Sequence, residues 1–270
     1  MQTAPQLGWE VAATDVHDLD ITDPNLVARE LARRRPQVVI NAAAATRVDD
    51  LESDLDLALK VNSLGPRNLA VACRHQGRKL IHISSDYVFD GAKPGPYEEW
   101  DATGPLSVYG RSKLLGEEWV RQQCPDHFIV RTAWLYGLPG PNFITAILAL
   151  ARSLGPAGEL KVVCDQRGTP TSALALAPQL LALADTQAFG TYHATCRGET
   201  TWYDFARLIL ATAGLPARVT PCATSEYPRP ASRPANSVLA NRLLKVAGLD
   251  LMPAWETAFQ DFWKAYGDRL

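Results

Sequence analysis

The chain of 270 residues lacks the excess of basic residues that is typical of proteins that bind nucleic acids or anionic membrane surfaces. Its 27 lysines and arginines nearly balance 29 aspartates and glutamates, which leaves a formal net charge of −2. This balance provides no basic surface to attract nucleic acid or an anionic membrane. We therefore expect neither of them among the partners of this protein.

Cysteine and histidine are too few and too dispersed to build a disulfide framework or a metal site. The 5 cysteines never form C-x-x-C, which excludes zinc fingers and dense disulfides and favours a reducing compartment. The 5 histidines show neither H-x-x-x-H nor H-E-x-x-H spacing, so we predict no metal. Because we also see no signal-peptide pattern and no apolar run of membrane-spanning length, we expect a cytoplasmic protein.

Strands and helices alternate along the first half of the chain. A short apolar run predicts a strand over residues 9–15, and Asp23 followed by Pro24 predicts the start of a helix. Residues 38–40 are apolar enough to predict a central parallel strand. Further along, the pattern predicts helices over 55–76 and 108–124 and strands over 79–84 and 128–131. This order predicts an α/β fold with a doubly wound parallel sheet.

Beyond residue 141 the pattern of elements is looser. It predicts helices over 142–153, 172–186, 201–213 and 253–266, and short strands over 161–164 and 190–194. Segment 221–237 is rich in proline and arginine, which indicates a binding loop rather than core. We expect a dinucleotide-binding core over residues 1–140. Residues 141–270 are expected to complete this core and to form a small substrate-binding lobe.

Two short motifs carry the predicted chemistry. Ser85 and Asp86 stand where the strand over 79–84 ends, the edge at which parallel sheets bind their ligands. Tyr109 and Lys113 are four residues apart on a predicted helix, so they share one face. An ammonium beside a phenol lowers the pKa of the phenol, which can then exchange a proton with a carbonyl oxygen. The alternative is an ordinary surface pair of a tyrosine and a lysine. Otherwise the residues predict hydride exchange at a carbonyl group, with the Ser85 hydroxyl hydrogen-bonded to the carbonyl oxygen.

Seven segments in a common order carry a resemblance to a known family. They are DITD at 20–23, PQVVINAAAAT at 36–46, SSDYVFDG at 84–91, PLSVYGRSKLLGE at 105–117, RTAWLYG at 131–137, DQRGTPT at 165–171 and RPANS at 233–237. On these the chain resembles the extended short-chain dehydrogenase/reductases and, within them, the dTDP-4-dehydrorhamnose reductases. The resemblance covers most of the chain and implies an NAD(P)-binding fold of the Rossmann type with a small C-terminal substrate lobe.

The resemblance also implies roles for individual residues. Tyr109 would be the catalytic acid/base, Lys113 would lower its pKa and hold the nicotinamide ribose, and Ser85 would complete the catalytic set. The implied cofactor-binding residues are Asp20, Ile21, Ala44, Ala45, Thr46, Tyr109 and Lys113. The implied substrate-binding residues are Ser85, Asp86, Trp134, Arg233 and Asn236. The cofactor would be NADPH or NADH, the partner a dTDP-sugar, and a homodimer is compatible with the family.

Several of these residues also have plain structural interpretations. Trp134 would be part of the core, since buried aromatic rings are common. Asp20 would cap a turn, Arg233 would be a solvated charge, and the alanines at 42–45 would permit close helix–sheet packing. The adjacent Trp202 and Tyr203 are predicted to serve packing rather than function.

One element of a dinucleotide-binding fold is missing from the sequence. Such a fold begins with a strand, a G-x-x-G-x-x-G turn and a helix whose N-terminal amides bind the diphosphate. The first glycine here is Gly8, just before the strand predicted over 9–15. By the resemblance, the missing unit would lie before Met1. Two explanations stay open: a start codon further upstream, or a natural loss of the loop that weakens cofactor binding.

The expected function is NAD(P)H-dependent reduction of the C4 keto group of dTDP-4-dehydro-L-rhamnose to dTDP-L-rhamnose, in nucleotide-sugar biosynthesis. One alternative is a non-catalytic binding member of the family, like the regulatory subunit of methionine adenosyltransferase, which the missing glycine turn favours. Another is a related nucleotide-sugar 4-ketoreductase or epimerase. The intact set of Ser85, Tyr109 and Lys113 favours an enzyme.

Overall fold

The computed structural model describes residue 5, residues 8–155 and residues 158–270. Its strands are β1 (Val38–Asn41), β2 (Lys79–Ser85), β3 (His127–Thr132), β4 (Leu135–Tyr136), β5 (Glu159–Val163), β6 (Arg167–Gly168), β7 (Thr171–Ser172), β8 (Gly190–His193), β9 (Thr200–Thr201) and β10 (Arg218–Cys222). Its α-helices are α1 (Pro24–Arg34), α2 (Val48–Leu51), α3 (Leu55–Leu59), α4 (Gly65–Gln76), α5 (Val108–Gln123), α6 (Phe143–Leu154), α7 (Ala173–Ala184), α8 (Trp202–Thr212), α9 (Arg242–Val246) and α10 (Trp255–Tyr266). Among these described helices, none combines the length and the apolar character needed to cross a membrane.

The central sheet has the strand order β1-β2-β3-β8, and every neighbouring pair is parallel. Successive side chains of a strand point to opposite faces, so each strand contributes to two layers. Leu80 and Ile129 face a layer formed by α1, α4 and α5. Ile81, Phe128 and Val130 face the other layer, formed by α6, α7, α8 and α10. Helices on both faces of a parallel sheet confirm the predicted doubly wound α/β fold.

The first predicted strand is wrong, and the second has a different place in the sheet. Residues 9–15 pair with no strand in the described part of the chain, and residues 11–15 are exposed. β1 is therefore an edge strand of the described sheet, where Ile40 is 41% exposed, instead of the central strand predicted from its apolar sequence. An apolar sequence shows that burial of the strand is favourable, but it does not show which strands or helices will cover it.

Most predicted helices are confirmed, with side-chain caps at their first residues. Asp23 accepts hydrogen bonds from two backbone amides at the start of α1, Asn142 accepts two at the start of α6, and Ser172 accepts one at the start of α7. The segment predicted as a helix over 55–76 is helical throughout, but a π-helical turn, Lys60–Leu64, separates α3 from α4. Turns of this type commonly mark functional sites, and this one buries the side chain of Asn62.

The C-terminal elements share a core with the sheet. β5 and β10 form a separate two-stranded parallel sheet, to which Leu160 contributes a buried side chain. Leu160, Phe128 of β3 and Phe205 of α8 belong to one hydrophobic cluster. Residues on the two sides of position 140 are therefore packed together.

Candidate functional site

β2 ends in a polar turn that carries two of the predicted site residues. Ser85 caps the 3-10 turn Asp86–Val88; its Oγ accepts from the Tyr87 amide at 3.2 Å and donates to Asp86 Oδ1 at 2.8 Å. Burial raises the pKa of the Asp86 carboxyl to about 6, although the hydrogen bond from Ser85 opposes part of this rise. This carboxyl group can therefore gain or lose its proton close to neutral pH.

Helix α5 lies directly against this turn. Ser107 caps the helix by accepting a hydrogen bond from the Gly110 amide at 3.1 Å. A Cβ atom at Gly110 would overlap the carbonyl oxygen of Tyr87, and one at Gly116 would overlap that of Asn62. Because glycine has no Cβ, the helix can approach both backbone segments closely. The two glycines thus decide how near the helix comes to the end of β2.

Tyr109 is brought to the end of β2, as the sequence predicted. Its ring lies edge-on to that of Tyr87, with centroids 5.5 Å apart. Burial raises the pKa of the Tyr109 phenol to about 12, whereas a hydrogen bond with the Ser85 hydroxyl lowers it in part. The phenol therefore keeps its proton at neutral pH in this arrangement.

Lys113 is buried one helical turn further along α5. Its Nζ donates a hydrogen bond to the carbonyl oxygen of Ile83 in β2 at 2.6 Å. Burial lowers the pKa of its ammonium to about 8, although the charge of Glu117 raises it in part. The predicted lowering of the Tyr109 pKa by Lys113 is wrong for this arrangement, since the ammonium is engaged by β2 and burial dominates at the phenol.

A buried ion pair beneath Lys113 was not predicted. The Arg131 guanidinium donates to the Glu117 carboxylate at 2.9 and 2.8 Å, and the two side chains are 3% and 0% exposed. Burial alone would raise the pKa of Glu117, but the hydrogen bonds from Arg131 hold it below its usual value. The pair joins α5 to β3. Its signal in the sequence is weak: an arginine inside an apolar strand.

Two residues predicted to bind the cofactor lie just before α1, and the second of them, Ile21, packs against α4. The side chain of Asp20 accepts a hydrogen bond from the Thr22 amide at 2.8 Å, which lowers the pKa of its carboxyl. Ile21 is buried, and its side chain fills the space that a Cβ atom at Gly65 would need. The carbonyl oxygen of Ile21 accepts a hydrogen bond from Asn68 at 3.0 Å. Asp20 therefore closes the turn before α1, and Ile21 joins this turn to α4.

The segment of Ala44, Ala45 and Thr46 follows the end of β1, and Asn62 holds it in place. The Asn62 amide group accepts a hydrogen bond from the Ala45 amide at 2.8 Å and donates one to the Ala45 carbonyl oxygen at 3.0 Å. The same side chain donates to the Ser112 hydroxyl of α5 at 3.1 Å. Asn62 thus connects the predicted cofactor wall to α5. Nothing in the sequence pattern distinguished it from an ordinary polar helix residue.

Trp134 and Trp202 form a stack, which we call the tryptophan stack. Their rings are 3.5 Å apart between centroids and nearly parallel, at 7°. Trp134 has a left-handed backbone conformation, with φ of 47°, and its Nε1 donates to the Ser237 hydroxyl at 3.1 Å. Both rings remain partly exposed. Trp202 was predicted to serve packing only, but the structure places it against a predicted substrate-binding residue.

Arg233 of the C-terminal loop contacts the first half of the chain. Its guanidinium forms two hydrogen bonds of 3.0 Å, one to each carboxylate oxygen of Asp49 in α2. These hydrogen bonds lower the pKa of the Asp49 carboxyl. Arg233 is therefore paired with Asp49 within the protein and is not an isolated solvated charge.

Asn236 fastens the same loop to the segment after β2. Its side-chain amide donates to the carbonyl oxygens of Lys93 at 2.8 Å and Gly95 at 2.9 Å. Its side-chain oxygen accepts a hydrogen bond from the Val238 amide at 3.2 Å. Asn236 is 4% exposed, so in this structure its hydrogen-bonding groups are used within the protein.

Two buried polar atoms mark the carboxyl edge of the sheet. Within the part of the chain that the structure describes, Asp86 Oδ2 and Thr132 Oγ1 have no hydrogen-bond partner. They lie at the ends of the neighbouring strands β2 and β3. Buried polar groups are costly unless they are paired, so this edge suits a polar ligand. With Ser85, Tyr109 and Lys113 beside it, the site can bind a carbonyl compound and supply a proton.

Comparison with known proteins agrees with this geometry. Residues 1–267 match the family described as RmlD substrate binding domain. A dTDP-4-dehydrorhamnose reductase of Streptomyces griseus is 44% identical over 265 residues, or 96% of this chain and 86% of the relative. A dTDP-4-keto-6-deoxy-D-glucose reductase of Streptomyces niveus is 42% identical over 93% of this chain and 87% of that protein.

A solved structure shows the same architecture. The dTDP-4-dehydrorhamnose reductase of Bacillus anthracis, crystallised in complex with NADP, superposes with a TM-score of 0.92 at 36% identity. The match covers 96% of this chain and 92% of that one. Fold and sequence thus point to the same group of proteins.

Proposed function

The chain belongs to the RmlD substrate binding domain family, and we propose that it reduces the C4 carbonyl of dTDP-4-dehydro-L-rhamnose to dTDP-L-rhamnose. The protein is an oxidoreductase that uses NADPH or NADH as its reductant. The observation that carries this proposal is the contact between the polar end of β2, with Ser85 and Asp86, and the face of α5 that presents Tyr109 and Lys113.

Tyr109 is the proton donor in this proposal. Because its pKa is raised to about 12, the phenol is fully protonated at neutral pH and can donate to the oxygen that becomes the C4 hydroxyl. Ser85, which interacts with the same phenol, would hydrogen-bond that oxygen as charge develops on it. The bound cofactor supplies a hydride to C4. Lys113, whose ammonium has a pKa of about 8, adds positive charge beneath the site.

The residues present fit the nicotinamide end of such a cofactor. The unpaired polar atoms at the ends of β2 and β3 lie at the edge where a parallel sheet binds dinucleotides. We propose that Tyr109 and Lys113 hold the nicotinamide ribose there. The adenosine side would be lined by Asp20, Ile21, Ala44, Ala45 and Thr46. The sequence carries no G-x-x-G-x-x-G turn, so we assign no residue to the cofactor's diphosphate.

For the dTDP-sugar we propose binding by Ser85, Asp86, Trp134, Arg233 and Asn236. Asp86 and Ser85 would contact the sugar at the reacting end, and the exposed part of the tryptophan stack would cover it. Arg233 would bind the diphosphate, since a guanidinium matches phosphate oxygens in the same forked geometry as a carboxylate. Asn236 would act through the loop, because its amide hydrogen bonds are made to Lys93 and Gly95.

The test is the loss of turnover in Tyr109→Phe. Removing the phenolic hydroxyl removes the proton donor, so NADPH oxidation with dTDP-4-dehydro-L-rhamnose falls by at least about 100-fold. Tyr203→Phe, on the partly buried start of α8, is the matched control and keeps its activity. Equal rates for wild-type protein and Tyr109→Phe would refute the proposed mechanism.

A related 4-keto-sugar is the second candidate substrate. The Streptomyces niveus relative, named a dTDP-4-keto-6-deoxy-D-glucose reductase, is about as similar to this chain as the dTDP-4-dehydrorhamnose reductase is. Comparing kcat/KM for the two keto-sugars with one protein preparation decides between them. A higher value for dTDP-4-keto-6-deoxy-D-glucose would replace the first substrate with the second.

The remaining parts of the proposal concern organisation. We propose a dinucleotide-binding core over residues 1–140, which residues 141–270 complete and extend with a substrate lobe, in a cytoplasmic protein that forms homodimers. The dispersed cysteines, with no C-x-x-C pair, support a reducing compartment. Light scattering of the purified protein tests the dimer, and a mass of one chain would exclude it.

A further inference from the structure

Donor groups of the C-terminal loop converge on one carboxylate, that of Asp49. The Arg233 guanidinium binds both of its oxygens at 3.0 Å, and the Ala231 amide donates to Oδ1 at 3.2 Å. The Arg229 guanidinium lies 3.6 Å from Oδ2. Two guanidinium groups and a backbone amide thus form an anion-binding site, and the chain's own carboxylate fills it. We call Arg229, Ala231 and Arg233 the loop donors.

The loop donors border the proposed active site. The Arg233 guanidinium interacts with the phenolic hydroxyl of Tyr87, and the Tyr87 ring lies edge-on to that of Tyr109 at 5.5 Å. Asp49 itself is in α2, directly after the segment that ends at Thr46. The anion-binding site is therefore linked to the proposed proton donor through Tyr87, and its carboxylate follows the proposed cofactor wall in the chain.

Phosphate oxygens are recognised by the same groups. A guanidinium offers a planar fork that matches carboxylate and phosphate equally, and a backbone amide suits both. We propose that the loop donors bind the diphosphate of a nucleotide ligand and that Asp49 is an internal competitor which the diphosphate displaces. This inference rests on the proposed function for the identity of the nucleotide. It makes Asp49 a residue that weakens ligand binding rather than one that supports it.

The loop has other attachments, so it does not depend on Asp49 for its position. Asn236 donates to two carbonyl oxygens of the segment after β2, and Arg167 in β6 donates its amide to the carbonyl oxygen of Ala235 at 2.8 Å. Pro234 and Ala235 also pack against Gly91, where a Cβ atom would overlap them. Removing the Asp49 charge therefore frees Arg233 without releasing the loop.

The experiment compares Asp49→Asn with Asp50→Asn. The first removes the competing charge and keeps an oxygen that the Ala231 amide can reach. The second removes the same charge one position away, where the side chain pairs with exposed Arg47 at 2.6 Å instead. Isothermal titration calorimetry measures Kd for dTDP, NADPH and inorganic pyrophosphate with each protein.

We expect Asp49→Asn to lower Kd about fivefold, the scale of a partly exposed ion pair, and Asp50→Asn to leave it within about twofold. A gain with dTDP identifies the sugar nucleotide as the ligand, and a gain with NADPH alone identifies the cofactor. Pyrophosphate, which carries no base or sugar, reports on the anion-binding site itself. An unchanged or higher Kd for all three ligands would overturn the inference and make Asp49 a structural clamp.

A second pair of variants tests the route through Arg233. In an Arg233→Met background, Asp49→Asn produces no gain, because the main donor is gone. A gain that persists there would overturn the inference. Turnover of the keto-sugar is measured on the same proteins. Tighter dTDP binding without turnover refutes only the proposed function, whereas turnover without any gain in Asp49→Asn refutes only the internal competitor.

Discussion

Replacing Glu117 by glutamine removes the negative charge from a fully buried ion pair. In the wild-type protein, Arg131 makes two hydrogen bonds to the Glu117 carboxylate, and Arg121, at 36% exposure, adds a contact at 2.6 Å. Glutamine has nearly the same shape and keeps one oxygen to accept a hydrogen bond. The change therefore isolates the charge and leaves the packing of α5 against β3 intact.

The expected cost follows from the burial of the partner that remains. Arg131 is 3% exposed, so its charge would stay in the interior without a counterion. Losing one partner of a buried pair costs about 3 to 5 kcal/mol, and the oxygen that glutamine retains places this case near about 3 kcal/mol. At a denaturant dependence of about 3 kcal/mol per molar urea, the unfolding midpoint falls by about 1 M.

Urea unfolding followed by circular dichroism measures this loss at neutral pH, with Glu118→Gln as the control. Glu118 is the exposed neighbour on the same helix, and its substitution changes the free energy of unfolding by less than about 0.5 kcal/mol. A loss below about 1 kcal/mol for Glu117→Gln would refute the reasoning, since the pair would then be worth no more than a surface salt bridge.

The pH dependence provides an independent check. Because the folded protein holds the pKa of Glu117 below its usual value, the pair contributes stability above the unfolded pKa, and that stability is lost as pH falls through the folded value. The difference between wild type and Glu117→Gln therefore shrinks below about pH 4. A difference that stays constant down to pH 3 would contradict the assignment of a depressed pKa.

Three further predictions concern the candidate site, the packing of α5 beside it and the tryptophan stack. Asp86→Asn raises the free energy of unfolding by about 2 kcal/mol at pH 7 but not at pH 4. The folded pKa is raised to about 6, so the ionised carboxyl costs stability as pH rises from its unfolded pKa, about 3.9, towards the folded value. Equal urea midpoint shifts at both pH values would contradict this prediction. Gly116→Ala lowers the free energy of unfolding by about 2 kcal/mol through its overlap with Asn62, whereas Gly95→Ala, with open space around it, serves as a neutral control; unchanged stability in Gly116→Ala would exclude the close approach. Trp202→Ala removes one ring of the tryptophan stack, so KM for the sugar nucleotide rises about fivefold at unchanged kcat in steady-state assays; an unchanged KM would limit Trp202 to packing.

Much of the architecture was predictable because its signals are local. Asp23 caps the helix that its place before Pro24 predicted, and the helices predicted from 142 and from 172 begin next to Asn142 and Ser172. The segments 79–84 and 128–131, with apolar residues such as Leu80, Ile81 and Phe128, predicted β2 and β3. Prediction from local sequence fails where a segment becomes a strand only if a neighbouring strand pairs with it. Residues 9–15 have a strand-like composition, yet within the described chain no neighbouring strand pairs with them.

The candidate site divides in the same way. Tyr109 and Lys113 share a face because four residues make about one helical turn, and Ser85 reaches them because ligand-facing groups gather at the ends of parallel strands. The sequence by itself therefore predicted which of these groups come together at the end of β2. It did not determine the pKa values, because burial, which raises the pKa of Tyr109 and lowers that of Lys113, is a property of the packed structure.

Only the tertiary structure decided which distant residues meet. Asp49 and Arg233 are 184 positions apart, and no pattern in either segment predicts that their side chains form two hydrogen bonds. Glu117 with Arg131, and Trp134 with Trp202, are pairs of the same kind. Each depends on the way helices and loops pack over the sheet. Sequence spacing specifies neighbours within an element, whereas contacts between elements exist only once the chain has folded.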